Sequence, residues 1–277
     1  MKSSLVQCSK FYVCDQSENG KLFSGNKFIK NKYILRIKKK NLISIGTKYS
    51  NHCLALSFYS KKINTKFIYL AIEPKKKKLS DLEKYPNIRI AKNFGSKIIQ
   101  INSGNIYQKV EFYKKKYSEY RWIPSGGHNK QAVREYGNFA YNFILKNYNI
   151  LKNLKWILIV VGSGTSFFGF LNAILKLNLK IKLIGVTVSK TKKNFLDLAL
   201  KNYNKCDLKN IEIIDDYHGK YGKKLKGDSF LINKFYLENN ILIDPVYNIR
   251  AVRHLYKKKL KNGLYINTGG SSNIVKR

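Results

Sequence analysis

Short apolar runs separated by longer helix-like stretches recur along nearly the whole 277-residue chain, and this alternation narrows the fold before any single residue is considered. Parallel strands need crossover connections of about a dozen residues, usually a helix. Such a chain is therefore expected to be α/β, with open, mainly parallel sheets and helices on both faces. Four runs, 42–46 (LISIG), 66–71 (KFIYLA), 97–101 (KIIQI) and 120–124 (YRWIP), make one small sheet. A helix-like segment over 130–147 follows. A second series, 156–161, 181–187 (IKLIGVT), 211–214 (IEII), 240–246 and 263–267 (GLYIN), makes a larger sheet. The length allows one large domain or two modest ones, and the two strand series point to two lobes.

The formal charge of +38, from 54 Lys+Arg against 16 Asp+Glu, would ordinarily direct attention to nucleic acid. The lysines are dispersed over nearly every element, however, and form only short runs at 38–40, 75–78 and 257–259. A dedicated binding face would cluster them with Arg and aromatics. Their dispersion reads as compositional drift of tolerant surface positions, and no RNP, helix-turn-helix or zinc-finger pattern accompanies them. No specific nucleic-acid partner is expected. Cys8, Cys14, Cys53 and Cys206 lack CxxC spacing, and His52, His128, His218 and His254 lie far apart. Neither a metal site nor a disulfide framework follows, and a reducing cytoplasm is the simplest setting. The longest apolar run, WILIVVG at 156–162, is far short of a membrane span, and the first residues lack the apolar core of a signal peptide. A soluble cytoplasmic protein is expected.

Several stretches carry candidate chemistry. The strand ILIVV runs into GSGTS, so that Gly162, Ser163, Gly164, Thr165 and Ser166 form a turn opening a helix. Such a turn presents backbone N–H groups and the positive end of a helix dipole, which suits a phosphate dianion. It is neither GxxxxGK[ST] nor a full GxGxxG, which argues against a nucleotide. Ser50 and Asn51 stand at the start of a second helix after a strand, where capping alone would explain them. Tyr221 and Tyr247 each follow a strand end, where residues lining the crevice of an open α/β sheet collect. Lys27 follows Ser-Gly-Asn. Lysine condenses with an aldehyde when its amine is held neutral by an apolar or cationic surrounding.

In order and spacing these pieces resemble the pyridoxal-phosphate family of 1-aminocyclopropane-1-carboxylate deaminase and D-cysteine desulfhydrase, within fold type II, the class of the tryptophan synthase β chain. The resemblance runs from FYVCDQSENGKLFSGNKFIKNKYIL through YSNH (49–52), IPSGGHNKQAVREYG (123–137), GSGTS, DDYHGKYGKK and DPVYN to NTGG (267–270). It implies a two-lobed enzyme with a larger cofactor-binding domain, 1–40 with 126–277, a smaller α/β domain, 41–125, and a homodimer. It implies pyridoxal 5'-phosphate carried by Lys27, which also moves a proton at carbon. Ser50 would relay a proton near the substrate, and Asn51 would bond the cofactor's ring hydroxyl. Gly162, Ser163, Gly164, Thr165 and Ser166 would hold the phosphate, Thr268 would meet the pyridine nitrogen, and Tyr221 and Tyr247 would face the substrate. Lys30 and Lys32 are expected on the solvated surface.

The resemblance also bears on the reaction. Cyclopropane-ring openers carry a glutamate directly after the DPVY tyrosine, whereas this chain has Asn248. The desulfhydrase branch carries a neutral residue there. The implied activity is β-elimination from a small amino acid such as D-cysteine, giving pyruvate, ammonia and sulfide. Ring opening is the alternative within the family. Outside it stand a basic nucleic-acid-binding protein on an enzyme scaffold and an eroded cofactor binder without turnover.

Overall fold

A computed structural model describes residues 3–17, 23–37, 40–73, 82–217 and 223–270. Its strands are β1 (Ser4–Gln7), β2 (Tyr12–Asp15), β3 (Leu42–Thr47), β4 (Phe67–Glu73), β5 (Lys97–Asn102), β6 (Arg121–Ile123), β7 (Trp156–Val161), β8 (Lys182–Thr187), β9 (Ile211–Ile214) and β10 (Gly263–Asn267). The helices are α1 (Asn26–Asn31), α2 (Asn51–Lys62), α3 (Pro86–Asn93), α4 (Ile106–Lys116), α5 (Lys130–Lys146), α6 (Tyr148–Leu151), α7 (Thr165–Lys176), α8 (Lys192–Leu200), α9 (Asp228–Asn239) and α10 (Asn248–Lys257). The chain divides into two compact units, Met1–Ile29 with Val133–Arg277, and Lys30–Ala132.

The first unit holds a six-stranded sheet in the order β1-β2-β10-β7-β8-β9. Only the β1–β2 pair is antiparallel. β7 shows why the sheet is covered on both sides, since all six residues of WILIVV are buried and successive side chains point to opposite faces. Ile157, Ile159 and Val161 join a cluster with Tyr136, Phe143, Phe167, Phe170 and Phe195 from α5, α7 and α8. Trp156, Leu158 and Val160 join another with Phe235, Ile249, Val252 and Leu255 from α9 and α10. The order of the strands places a topological switch beside β7, whose neighbour β8 follows it in the chain while β10 returns on its other side. Ligand crevices of open α/β sheets lie outside the carboxyl ends of strands at such a point.

The second unit holds a parallel four-stranded sheet, β5-β4-β3-β6. Ile43, Ile45, Ile68, Leu70 and Ile101 form its core on one face, with Ile106, Val110 and Tyr113 of α4 packed on them. Among the described residues no helix is long and apolar enough to cross a membrane.

Three sequence expectations need correction. Residues 240–246 are not a strand: the Asp244 carboxylate accepts from the backbone N–H groups of Val246, Tyr247 and Asn248 at 2.9, 2.7 and 2.9 Å and turns the chain into α10. β1 (SLVQ) and β2 (YVCD) were not expected from the sequence. Lys30, expected in solvent, is 1% exposed and donates to the Gly126 carbonyl, whereas Lys32 is exposed as expected.

Candidate active site

The first unit gathers most of the sequence-derived candidates at the carboxyl ends of β2, β10 and β7. Asn267, at the end of β10, is in register with Asp15, at the end of β2, and its Nδ2 donates to Asp15 Oδ1 at 2.8 Å. The chain then passes through Thr268, whose carbonyl accepts from the Asn26 amide at 2.8 Å. This brings the Ser-Gly-Asn-Lys turn against the end of the last strand. Gly25 is required there: its φ is +89°, and a Cβ would stand 2.8 Å from the Thr268 carbonyl oxygen.

Lys27 is half-buried in the first turn of α1, with its Nζ 5.9 Å from the centre of the Tyr247 ring. The same ring would be 3.5 Å from a Cβ on Gly162, so lysine, tyrosine and glycine turn are neighbours. A second link closes the circuit, because Asn26 Nδ2 donates to Ser166 Oγ at 3.0 Å. Lys27, Tyr247, Gly162, Ser166 and Thr268 are thus neighbours in the first unit.

The turn after β7 is built as an open helix start. Gly164 occupies the cap position of α7 at φ +91° and has no side chain with which to cap the helix. Any Cβ there would press to 2.9 Å on Phe168. The backbone N–H groups of a first helical turn have no intrahelical partner, and Ser163 Oγ and Thr165 Oγ1 lie 3.2 Å apart beside them. Uncapped N–H groups, two hydroxyls and the helix dipole make a donor set that fits a phosphate without any cationic side chain.

Thr268 sits in a buried network in which the Asn248 amide stands between it and the Asp244 carboxylate. Asn248 is 0% exposed. Its Nδ2 donates to Asp244 Oδ2 at 2.5 Å and to the Gly269 carbonyl at 3.2 Å. Both partners can only accept, so Oδ1 must face the other way, where it accepts from Thr268 N, Thr268 Oγ1 and the Tyr265 hydroxyl, each at 3.2 Å. Burial raises the Asp244 carboxyl above its ordinary range, and the hydrogen bonds it accepts from Asn248, Tyr247 and Val246 pull it back. Deeper still, Gln16 Nε2 lies 2.6 Å from the Tyr136 hydroxyl, whose acidity burial suppresses.

The second unit carries Ser50 and Asn51 at the start of α2. Ser50 is the N-cap and its Oγ accepts from the His52 amide at 3.2 Å, a use the hydroxyl proton does not share. Asn51 Oδ1 accepts from Asn87 Nδ2 at 3.0 Å. His52, which sequence reading left without a role, is fully buried between Ser44 Oγ (3.1 Å from Nε2) and Asn31 Nδ2 (3.3 Å from Nδ1). Ser44 gives its own proton to the Ile123 carbonyl at 2.8 Å. Nε2 therefore carries the ring proton and Nδ1 accepts, and the ring ties α2 to β3 and α1. Sequence reading also missed Asn87 and Asn248 as members of these networks. Tyr221 lies outside the described residues.

A family model described as "Pyridoxal-phosphate dependent enzyme" matches residues 17–224. The chain belongs to that family. Its cofactor is pyridoxal 5'-phosphate, and the protein is a pyridoxal-phosphate-dependent enzyme of fold type II. A Thermotoga maritima protein that carries the provisional name 1-aminocyclopropane-1-carboxylate deaminase is 25% identical over 271 residues, covering 89% of this chain and 84% of the relative. A Pyrococcus furiosus protein with the same provisional name is 24% identical over 285 residues, covering 94% and 84%. Among solved structures, one described as an ACC deaminase homologue superposes with a TM-score of 0.81 at 21% identity, covering 99% of this chain and 90% of that one. The processed form of threonine deaminase isoform 2 from Solanum lycopersicum gives 0.69 at 14% identity, covering 98% and 84%. These structural likenesses establish the family's fold.

Proposed function

We propose that this pyridoxal-phosphate enzyme is a β-eliminating lyase that converts D-cysteine and water to pyruvate, ammonia and hydrogen sulfide. The observation that carries this reading is the neutral Asn248 amide beside Thr268, at the position where, by the resemblance, ring openers hold a glutamate. A carboxylate there would keep the pyridine nitrogen protonated for a demanding carbanion. The Thr268 hydroxyl, whose proton goes to Asn248 Oδ1 at 3.2 Å, offers a neutral oxygen and no carboxylate, which suffices when a good leaving group departs from Cβ.

When bound, the cofactor supplies the electron sink at Cα. The residues of this chain do the rest. Lys27 would hold the cofactor and take the Cα proton, and the Tyr247 ring, centred 5.9 Å from its Nζ, would favour the ammonium so formed. The N–H groups of Gly162 to Thr165, with the Ser163, Thr165 and Ser166 hydroxyls, hold the phosphate. Thr268 Oγ1 would meet the pyridine nitrogen, and Asn51 would donate to the ring oxygen. Ser50 relays a proton, while Tyr221 and Tyr247 orient the substrate. A homodimer accompanies this reading by the family resemblance alone, and a reducing cytoplasm agrees with Cys8, Cys14, Cys53 and Cys206 being free thiols.

A second reading, ring opening of 1-aminocyclopropane-1-carboxylate to 2-oxobutanoate and ammonia, is favoured by the provisional names of the two relatives. One experiment separates the two. The purified holoenzyme is given D-cysteine, D-serine or the cyclopropane amino acid, and the oxo-acid product is identified by mass. Pyruvate with sulfide from D-cysteine, at a kcat/KM at least about tenfold above 2-oxobutanoate formation, supports elimination. The reverse preference assigns ring opening, and no oxo acid from any of them removes both. Loss of the visible cofactor band in Lys27→Ala checks the lysine independently.

A further inference from the structure

Asn87 is 2% exposed, in the first turn of α3, and its Nδ2 donates in two directions, to the Tyr49 carbonyl at 3.1 Å and to Asn51 Oδ1 at 3.0 Å. A backbone carbonyl only accepts, so the Asn87 atom facing Tyr49 must be the NH2 group. The second proton of that NH2 then points at the Asn51 carboxamide, and the atom meeting it must be an acceptor, Oδ1. This fixes the amide of Asn51: its Nδ2 is turned away from Asn87 and presented as a donor. We infer that Asn87 is a positioning residue, one that sets the Asn51 carboxamide so that it offers a proton, and not a lone pair, to the ring oxygen of the cofactor. The inference rests on the reading above, in which Asn51 makes that bond.

Two further observations support the assignment. Asn87 Oδ1 is buried with no hydrogen-bond partner among the described residues. Turning the amide over would set that oxygen against the Tyr49 carbonyl, so the side chain leaves one acceptor unsatisfied and keeps both N–H bonds, at a cost in stability. The side chain also stands on a rigid mount. Pro86 opens α3, and the Ile88 and Arg89 amides both donate to the Tyr85 carbonyl at 3.0 Å. The Tyr85 ring packs edge-on against Tyr49 at 5.1 Å and lies under Lys48 Nζ at 4.6 Å, and Lys48 is held by Glu73 at 3.0 Å. A site group fixed by a packed neighbour keeps its geometry better than one on a mobile loop.

The test is a double-mutant cycle on cofactor affinity. Dissociation constants for pyridoxal 5'-phosphate are measured for apo wild type, Asn87→Ala, Asn51→Ala and the double variant, with the visible spectrum of each loaded protein as a second readout. Asn87→Ala is expected to weaken binding about tenfold in the wild-type background and to shift the visible band. In the Asn51→Ala background its effect should fall to within about twofold. A merely structural role would weaken both backgrounds equally, and that result, or a folded Asn87→Ala with wild-type affinity and spectrum, overturns the inference. Should Asn87→Ala fail to fold by circular dichroism, Asn87→Ser carries the same comparison. A wild-type protein with no Lys27-dependent band would instead overturn the underlying reading, and the inference with it.

Discussion

At the end of β7 the chain enters α7 through Gly164, which has no side chain to cap the first turn. At the end of β3 it enters α2 through Ser50, whose Oγ accepts from the His52 amide. Both are helix starts at the carboxyl ends of parallel strands, yet one leaves its backbone N–H groups available and the other uses one internally. The open start can hold an anion directly on the main chain. The closed start acts through side chains, which therefore need orienting, and Asn51 is oriented by Asn87. The difference lies in one residue type at the cap: a glycine at positive φ against a serine in extended backbone.

The sharpest way to break this comparison is to close the open start. Gly164→Val places a branched side chain at φ +91° and against Phe168, and should weaken pyridoxal 5'-phosphate binding about a hundredfold, read by titrating the apo protein. Binding within threefold of wild type would show that α7's start does not hold the phosphate. Ser166→Ala is milder. It removes one hydroxyl and the partner of Asn26 at 3.0 Å, with about a tenfold loss of affinity expected in the same titration.

Ser50→Ala addresses the closed start. It should lower stability by about 1 kcal/mol, seen as a fall of about 2–4 °C in the thermal midpoint, while leaving affinity for inorganic phosphate as in wild type. A drop in phosphate affinity would mean the two starts are not as different as their caps indicate. Ser50→Gly should cost only a few tenths of a kcal/mol.

The smallest expected effect separates acid loss of phosphate from acid loss of the fold. Burial lowers the pKa of His254, in the last turn of α10, with Glu212 and Asp216 opposing the shift and Lys257 and Lys258 adding to it. A folded-state pKa below the unfolded value means the unfolded chain takes up more protons in that window. The contribution of His254 to stability is thus present above about pH 6.5 and fades as pH falls through its folded value. Thermal midpoints measured from pH 7 downward should decline less steeply in His254→Gln than in wild type, and parallel curves would discount the imidazole.

Much of the α/β plan was legible because strands buried on both faces read as unbroken apolar runs, as WILIVV does. ILIDP misled for the same reason: Ile241 and Ile243 are buried as a strand's would be, but Asp244 captures three successive amides and ends any ladder. The glycine and hydroxyl residues of the β7–α7 turn could be read locally, since a strand, a turn and a helix in succession place them together. Lys30 could not. In a chain with 54 basic residues, nothing marks the one whose ammonium meets a backbone carbonyl inside the protein. Asn87, and the orientation though not the position of Asn248, were illegible for a related reason, because an amide's value lies in which of its two ends faces which partner, and only coordinates supply that.

The place of β10 between β2 and β7 bears on how the protein is made. Every other described strand leaves the ribosome before it, so until residues 263–267 emerge the larger sheet has a slot at its centre and two unfilled ladders. Thr268, proposed above to meet the pyridine nitrogen, arrives with the same segment. On the reading proposed above, loading of the vitamin-derived group would be a late event in biogenesis, coupled to closure of that slot and not to synthesis of Lys27.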